Sequence, residues 1–331
     1  MTTNTIAVTG SEGFIASHLV EALVQRGHSV RAMVQYNSFS SAGWLDKMSP
    51  EVLEHVDIVM GDVRDHRSVM DLTNGVDAVC HLAALIAIPY SYQAPESDLA
   101  TNAAGTLNIL EAARTHGTPR VIHTSTSEVY GTARTVPIAE THPLQAQSPY
   151  SASKIAADKF AESYHLSFDV PVVTLRPFNT YGPRQSARAV IPTTISQIAA
   201  GKREIQLGAL DPTRDFNFVL DTVNAFLALL DADDSVLGGT YNTGSGGEIS
   251  IGDLVKLIAA VMNTEVEVTL DPARVRPAGS EVMRLVCDST LLKEATSWKP
   301  QYTLEEGLSQ TASWFCNPVN LAAYHTDRYN I

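Results

Sequence analysis

The stretch Ile6-Ala7-Val8-Thr9-Gly10-Ser11-Glu12-Gly13-Phe14-Ile15-Ala16 decides how the rest of the chain is read. A short β-rich run, Ile6 to Thr9, enters a turn with two glycines, and the turn opens onto a helical pattern. From Phe14 to Gln25 that pattern places Ile15, Leu19 and Leu23 on one face. Gly10 permits the tight turn, Gly13 lets backbone N–H groups approach a pyrophosphate at the helix N-terminus, and Ala16 allows close helix–sheet packing. The spacing predicts a dinucleotide site whose first residues are Gly10, Gly13, Phe14 and Ile15.

Further along, short β-rich runs alternate with helical patterns. The runs are Val30 to Val34, Asp57 to Met60, Ala78 to Leu82, Val121 to Ser125 and Val172 to Leu175; Asn102 to Thr115 and Ser151 to Ser163 are long helical stretches. Such alternation predicts an α/β fold, a Rossmann-type doubly wound parallel sheet. After about Pro177 the chain turns to loops rich in Arg, Pro and Gly, with helices near Ile191 to Ala200, Thr222 to Leu230, Ile251 to Met262 and Leu304 to Phe315. The expected division is a dinucleotide-binding domain over 1–176 and a smaller C-terminal α/β substrate lobe over 177–331, partly interleaved with it. No internal repeat or low-complexity tract is present.

An acid at the end of the second strand would hold the ribose 2′-hydroxyl of NAD. Val34, Gln35, Tyr36 and Asn37 stand there instead, and no basic residue follows to take a 2′-phosphate. NAD is the expected cofactor, NADP stays open, and Tyr36 and Asn37 are placed beside it. Asp62, with Val63, follows the third strand and is positioned for the adenine amino group. Leu82, Ala83 and Ala84 supply small or apolar groups where the backbone passes the cofactor. Asn102, Thr124 and Pro177 complete the expected cofactor set.

The fifth strand runs into Thr126-Ser127-Glu128-Val129-Tyr130-Gly131, so hydroxyls and a carboxylate stand at the carboxyl end of a parallel strand, where open α/β sheets bind ligands. About twenty residues on, Tyr150-Ser151-Ala152-Ser153-Lys154 sets a phenol and an ammonium on one helical face. A cation near the phenol favours its phenolate, which then accepts a proton from a hydroxyl.

These features together resemble the extended short-chain dehydrogenase/reductase family of sugar-nucleotide epimerases, dehydratases and decarboxylases, over nearly the whole chain. The resemblance implies that Tyr150 takes the proton of the sugar O4 while hydride leaves C4. It implies that Lys154 lowers the tyrosine pKa and holds the cofactor ribose, and that Thr126 hydrogen-bonds O4. The sugar-nucleotide half looks matched by Arg176 to Asn179, Gly182 to Arg184, Arg214-Asp215-Phe216 and Arg276-Pro277, with Arg214 and Arg276 on the diphosphate. Ile88, Tyr90, Asn179, Arg184 and Ile191 join the expected substrate set.

Within that family, 4,6-dehydratases use a glutamate at the position of Glu128 to abstract the C5 proton. The residue before it is commonly an aspartate that protonates the leaving hydroxyl; here it is Ser127, so Glu128 or an ordered water would deliver the proton. Four segments resemble the NAD-dependent amino-sugar nucleotide dehydratases of the legionaminic-acid pathway type: Tyr36 to Asp46, Ile88 to Tyr92, Ser280 to Leu285 and the ending Trp314 to Asn330. The expected reaction is 4,6-dehydration of UDP- or GDP-N-acetylglucosamine. UDP-glucuronate decarboxylation, 4-epimerisation and, more remotely, a non-catalytic dinucleotide sensor are the alternatives.

Bulk properties narrow the partners. With 331 residues and a net charge of −13, the chain lacks the basic surface that nucleic acid or an anionic membrane demands. Cys80, Cys287 and Cys316 lie far apart without metal-ligand or disulfide spacing, so no metal is expected. No leader or long apolar segment is read, which predicts a cytoplasmic protein. Family resemblance adds a homodimer through the helices at 102–115 and 151–163.

Overall fold

The computed structural model describes residues 4–326. Tyr329 and Asn330, at the end of the dehydratase-like C-terminal segment, lie outside the described residues.

Six strands arise close to where the apolar runs place them: β1 (Thr5–Thr9), β2 (Ser29–Gln35), β3 (Val56–Gly61), β4 (Ala78–His81), β5 (Val121–Thr124) and β6 (Val172–Pro177). They form a parallel sheet in the order β6-β5-β4-β1-β2-β3. Its central strands read as unbroken apolar runs because helices cover both faces; every residue of β4 and β6 is buried. The chain winds outward from β1 through β2 to β3, then returns to β4 and winds the other way. A crevice therefore opens beyond the carboxyl ends of β1 and β4, where Thr9 pairs with His81.

A seventh strand, Thr240–Thr243, extends the sheet beside β6 and pairs Thr240 with Thr174 through Thr243 with Pro177. It was not expected. Thr-Tyr-Asn-Thr carries no apolar alternation, and it forms a strand because its buried polar groups find partners: Tyr130 donates to Asn242 Oδ1 at 2.7 Å, and Asn242 Nδ2 donates to Ile138 O at 3.0 Å. The second half of the chain thus contributes directly to the sheet.

Two apolar layers sandwich that sheet. One joins Leu19 and Leu23 of the helix Phe14–Gln25 to Phe226 and Leu229 of the helix Val219–Asp231. The other joins Val79 and Val121 to Ile109, Leu110 and Ala161. The first long helical stretch is an α-helix over Gly105–His116, preceded by a π-helical segment over Leu99–Ala104. At Gly105 a Cβ would stand 2.9 Å from Val63 Cγ2, so only glycine lets this helix lie so close.

The helix Pro149–Phe168 is longer than the pattern indicated. Pro149 opens it, where a missing N–H costs nothing, and Ser148 and Ser151 cap it reciprocally: Ser148 Oγ accepts from Ser151 N at 3.1 Å and Ser151 Oγ from Ser148 N at 3.0 Å. Among the described residues no helix is long and apolar enough to cross a membrane. Ser148→Ala should lower stability by about 1 kcal/mol, read as a lower urea midpoint with an unchanged slope; no change would mean that the cap does not hold this helix.

Candidate active site

The glycine-rich turn sits under the loop that follows β4. Thr9 Oγ1 accepts the N–H groups of Leu82 (3.1 Å) and Ala83 (3.0 Å) and pairs with His81 Nδ1 at 2.8 Å. This draws the loop so near that a Cβ on Gly10, whose φ is +69°, would lie 2.9 Å from both the N and Cα of Ala83. The helix beginning at Phe14 has no side-chain cap and no acid in its first turn. Its N–H groups remain available to an anion, and the turn therefore fits a dinucleotide pyrophosphate.

Above the crevice lies a cavity of about 1020 Å³. Tyr150 and Lys154 enter it from one face of the helix Pro149–Phe168. Lys154 is 3% exposed, and its ammonium donates to Thr124 O at 2.7 Å. Burial pulls its pKa down to about 8, against the pull of the Asp158 carboxylate. Tyr150 is also buried; desolvation drives its pKa well above the ordinary value, the Thr126 hydroxyl opposes this, and the Glu128, Asp98 and Asp158 carboxylates add to it. The Lys154 ammonium is not among the groups that offset this rise.

Thr126, Ser127 and Glu128 emerge from β5 into a tight turn, fixed where Glu128 N donates to Thr126 Oγ1 at 3.2 Å. All three line the cavity, although Ser127 is only 3% exposed. From the C-terminal half come Asn179, Arg184, Ile191, Arg214 and Arg276, facing Ile88 and Tyr90. Glu281 Oε1 lies 3.1 Å from Arg214 Nη2 and 3.8 Å from Arg276 Nη1, so the two expected diphosphate cations share one carboxylate. Arg184 pairs with Glu21 at 2.9 Å.

Gly10, Gly13, Phe14, Ile15, Asp62, Val63, Leu82, Ala83, Ala84, Thr124 and Pro177 also line this cavity. Three expected cofactor residues do not. Tyr36 is 72% exposed, and Asn37 closes its own loop, accepting from Phe39 N (3.2 Å) and Ser41 N (3.1 Å). Asn102 is fully buried and braces the loop after β4, with Oδ1 accepting from Leu85 N at 2.8 Å and Nδ2 donating to Ser153 Oγ at 2.9 Å. Asp62 reaches the cavity but is held by Arg64, whose Nε lies 2.9 and 3.0 Å from its two oxygens. That ion pair keeps the carboxyl below its ordinary pKa.

Arg176, read within a sugar-nucleotide motif, is instead an internal strut. Its Nε and Nη2 donate to Asp158 Oδ2 at 3.0 and 2.9 Å. Among the cavity residues that the sequence reading did not assign to the site are Glu12, Arg64, Glu281 and Tyr324. Glu281 had only the segment Ser280 to Leu285 as a signal. Tyr324 is brought in by aromatic packing, its ring stacked on Trp44 at 6.2 Å.

Fold and cavity define a Rossmann-type member of the extended short-chain dehydrogenase/reductases, as the resemblance implied. Residues 7–311 match the family described as GDP-mannose 4,6 dehydratase, and the chain belongs to that family. A UDP-glucose 4-epimerase of Mycolicibacterium smegmatis is 33% identical over 320 residues, covering 94% of this chain and 98% of the relative. A dTDP-glucose 4,6-dehydratase of Xanthomonas campestris is 32% identical over 336 residues, covering 93% and 92%. A dTDP-glucose 4,6-dehydratase double mutant from Streptomyces venezuelae, crystallised with NAD and DAU bound, superposes with a TM-score of 0.83 at 26% identity, covering 95% of this chain and 97% of that one. The family thus includes sugar-nucleotide dehydratases and epimerases alike.

Lys154 gives this site a pH signature. Folded, it loses its proton near 8; its ordinary value is 10.5. Between these values the unfolded chain binds more protons, so this group's contribution to stability rises with pH. Relative to Lys154→Met, the wild-type chain should gain stability from about pH 8 to about pH 10, measured by denaturant titration; parallel curves would refute the depressed value.

Proposed function

We propose that the chain is an NAD-dependent sugar-nucleotide 4,6-dehydratase acting on UDP- or GDP-N-acetylglucosamine. The observation that carries this reading is Glu128, whose carboxylate lines the cavity near enough to Tyr150 and Arg214 to act on the titration of each. A 4-epimerase exchanges a proton at O4 and a hydride at C4 and removes no C5 proton, so it gives this carboxylate no work as a base. A dehydratase, by contrast, needs a base for the C5 proton. The Thr126 to Gly131 string suits a UDP-glucuronate decarboxylase as well, and the segments Tyr36 to Asp46, Ile88 to Tyr92 and Ser280 to Leu285 favour the dehydratase over it. The choice of an N-acetylhexosamine rests on the segments that resemble the amino-sugar dehydratases.

The uncapped helix start, the Gly10 approach and the buried Lys154 support a bound NAD. When bound, NAD would supply the acceptor for hydride from sugar C4 and the donor for hydride at C6, and its cationic ring would favour the Tyr150 phenolate. Tyr150 accepts the O4 proton, with Thr126 beside it on the same oxygen. Glu128 removes the proton at C5 and delivers it to the C6 hydroxyl as the C–O bond breaks, so the carboxylate is regenerated and one water leaves; once hydride adds at C6, the enolate left at C5 takes a proton from solvent, and Tyr150 gives the O4 proton back to solvent to restore its phenolate. Ser127 has no acid of suitable pKa for that delivery. Arg214 and Arg276 would exchange Glu281 for the diphosphate. A cytoplasmic homodimer completes the reading, supported by Phe160 and Leu166, exposed on the helix Pro149–Phe168.

With UDP- or GDP-N-acetylglucosamine, mass spectrometry should show a product lighter by one water. Tyr150→Phe should lose roughly 10²–10⁴-fold in turnover. Glu128→Gln should still reduce the cofactor, seen as nicotinamide absorbance, yet release no water. Loss of CO2 from UDP-glucuronate alone, or a C4 epimer as sole product, would overturn the assignment.

A further inference from the structure

The second strand ends without the acid that NAD-binding folds place there. The structure supplies a carboxylate from elsewhere. Glu12, inside the glycine-rich turn, reaches across to the end of β2, where its Oε1 accepts the N–H of Gln35 at 3.0 Å. The backbone around it is fixed: Ser11 N donates to Met33 O at 3.0 Å, Gly13 N to Gly10 O at 2.9 Å and Trp44 N to Glu12 O at 3.2 Å. Gly43, at φ +60°, closes over it, since a Cβ there would stand 2.7 Å from Glu12 O and 2.8 Å from Glu12 Cβ. The second oxygen, Oε2, has no hydrogen-bond partner and is buried. An unpaired buried acceptor is costly unless a donor reaches it.

Glu12 lines the cavity together with Gln35, Gly61, Asp62 and Arg64, the end that the carboxyl ends of β2 and β3 reserve for the adenosine half of a dinucleotide. We infer that Glu12 is the specificity residue for that half: its carboxylate accepts the adenosine ribose hydroxyls and repels a 2′-phosphate. This inference rests on the dinucleotide reading above. Two vicinal hydroxyls are donors matched to a carboxylate, whereas a phosphate brings like charge. The arginine at this end, Arg64, is already engaged by Asp62. Arg31 is likewise turned away, its Nη1 donating to Leu72 O (2.7 Å) and Asn74 O (2.9 Å). Burial holds the Glu12 carboxyl above its ordinary pKa, opposed by hydrogen bonds from the backbone of Gln35 and of Glu12 itself.

The test is the ratio of NAD to NADP affinity, titrated by calorimetry on protein freed of bound dinucleotide. A loosened fold weakens both ligands alike, so the ratio reports recognition. Wild-type protein should bind NAD and discriminate against NADP. Glu12→Gln and, as a second variant, Glu12→Ser should weaken NAD by about 10- to 100-fold while NADP stays level or improves. Adding Gln35→Asp to either variant, which restores a carboxylate at the strand end, should recover the preference. Variants that keep the wild-type ratio while the wild-type protein binds NAD overturn the role of Glu12 alone. Wild-type protein that binds neither dinucleotide overturns the functional reading and this inference with it.

Discussion

The site depends on one buried charge cluster. Asp158, 4% exposed, accepts from Arg176 Nε and Nη2 through Oδ2, and its Oδ1 lies 3.1 Å from His123 Nε2. Those partners belong to β6 and β5, and Asp158 lies one helical turn beyond Lys154. The cluster therefore pins the helix that carries Tyr150 and Lys154 onto the two strands whose ends form the reaction floor. A lone carboxylate at that depth would be far too costly; with a guanidinium on one oxygen and an imidazole on the other it stays ionised, its pKa below the ordinary value despite burial. Its field also offsets part of the cost of burying the Lys154 ammonium. Removing one partner of such a pair leaves an uncompensated charge, at about 3–5 kcal/mol.

The same logic orders the charges of the cavity. A chain of net charge −13 has to present cations locally if it is to bind anionic ligands, and it does so with arginines already paired to its own acids. Arg184 has Glu21, Arg64 has Asp62, and Arg214 and Arg276 share Glu281. An internal counter-ion keeps a half-buried guanidinium affordable without a ligand and can be exchanged for a phosphate oxygen of matching geometry. Arg176 differs: neither it nor its partner Asp158 lines the large cavity, so the same residue type serves as scaffold.

How much of this was legible depended on whether a residue's job is local. The turn from Thr9 to Ala16 and the Tyr150/Lys154 spacing are local, and six strands and the main helices followed from short-range patterns of apolar residues. The strand Thr240–Thr243 was not legible, because its polar residues are stabilised by Tyr130 and Ile138, more than a hundred residues away. Position after a strand misled at Tyr36 and Asn37: the loop folds outward because Asn37 satisfies its own backbone. Asn102 and Arg176 misled in the opposite sense, being polar residues whose partners are buried protein groups. Glu12 stands inside the glycine turn, and nothing in the spacing shows that its side chain crosses to the next strand to meet Gln35.

What separates the possible reactions of this family is correspondingly small. On the proposed reading, the helix with Tyr150 and Lys154 would set where a proton and a hydride leave the sugar, and it could serve every reaction that begins by oxidising C4. The second half of the reaction would then fall to the turn after β5, whose backbone is set by Thr126 capping the N–H of Glu128. That geometry turns Ser127 inward, leaving it 3% exposed, and leaves Glu128 against the cavity. A single carboxylate facing C5 is sufficient for elimination only if it both takes the proton and gives it up again. The neighbouring Arg214 is drawn to Glu128 as well as to Glu281, so on the proposed reading a diphosphate that engages Arg214 would rearrange the charges around the carboxylate that acts at C5.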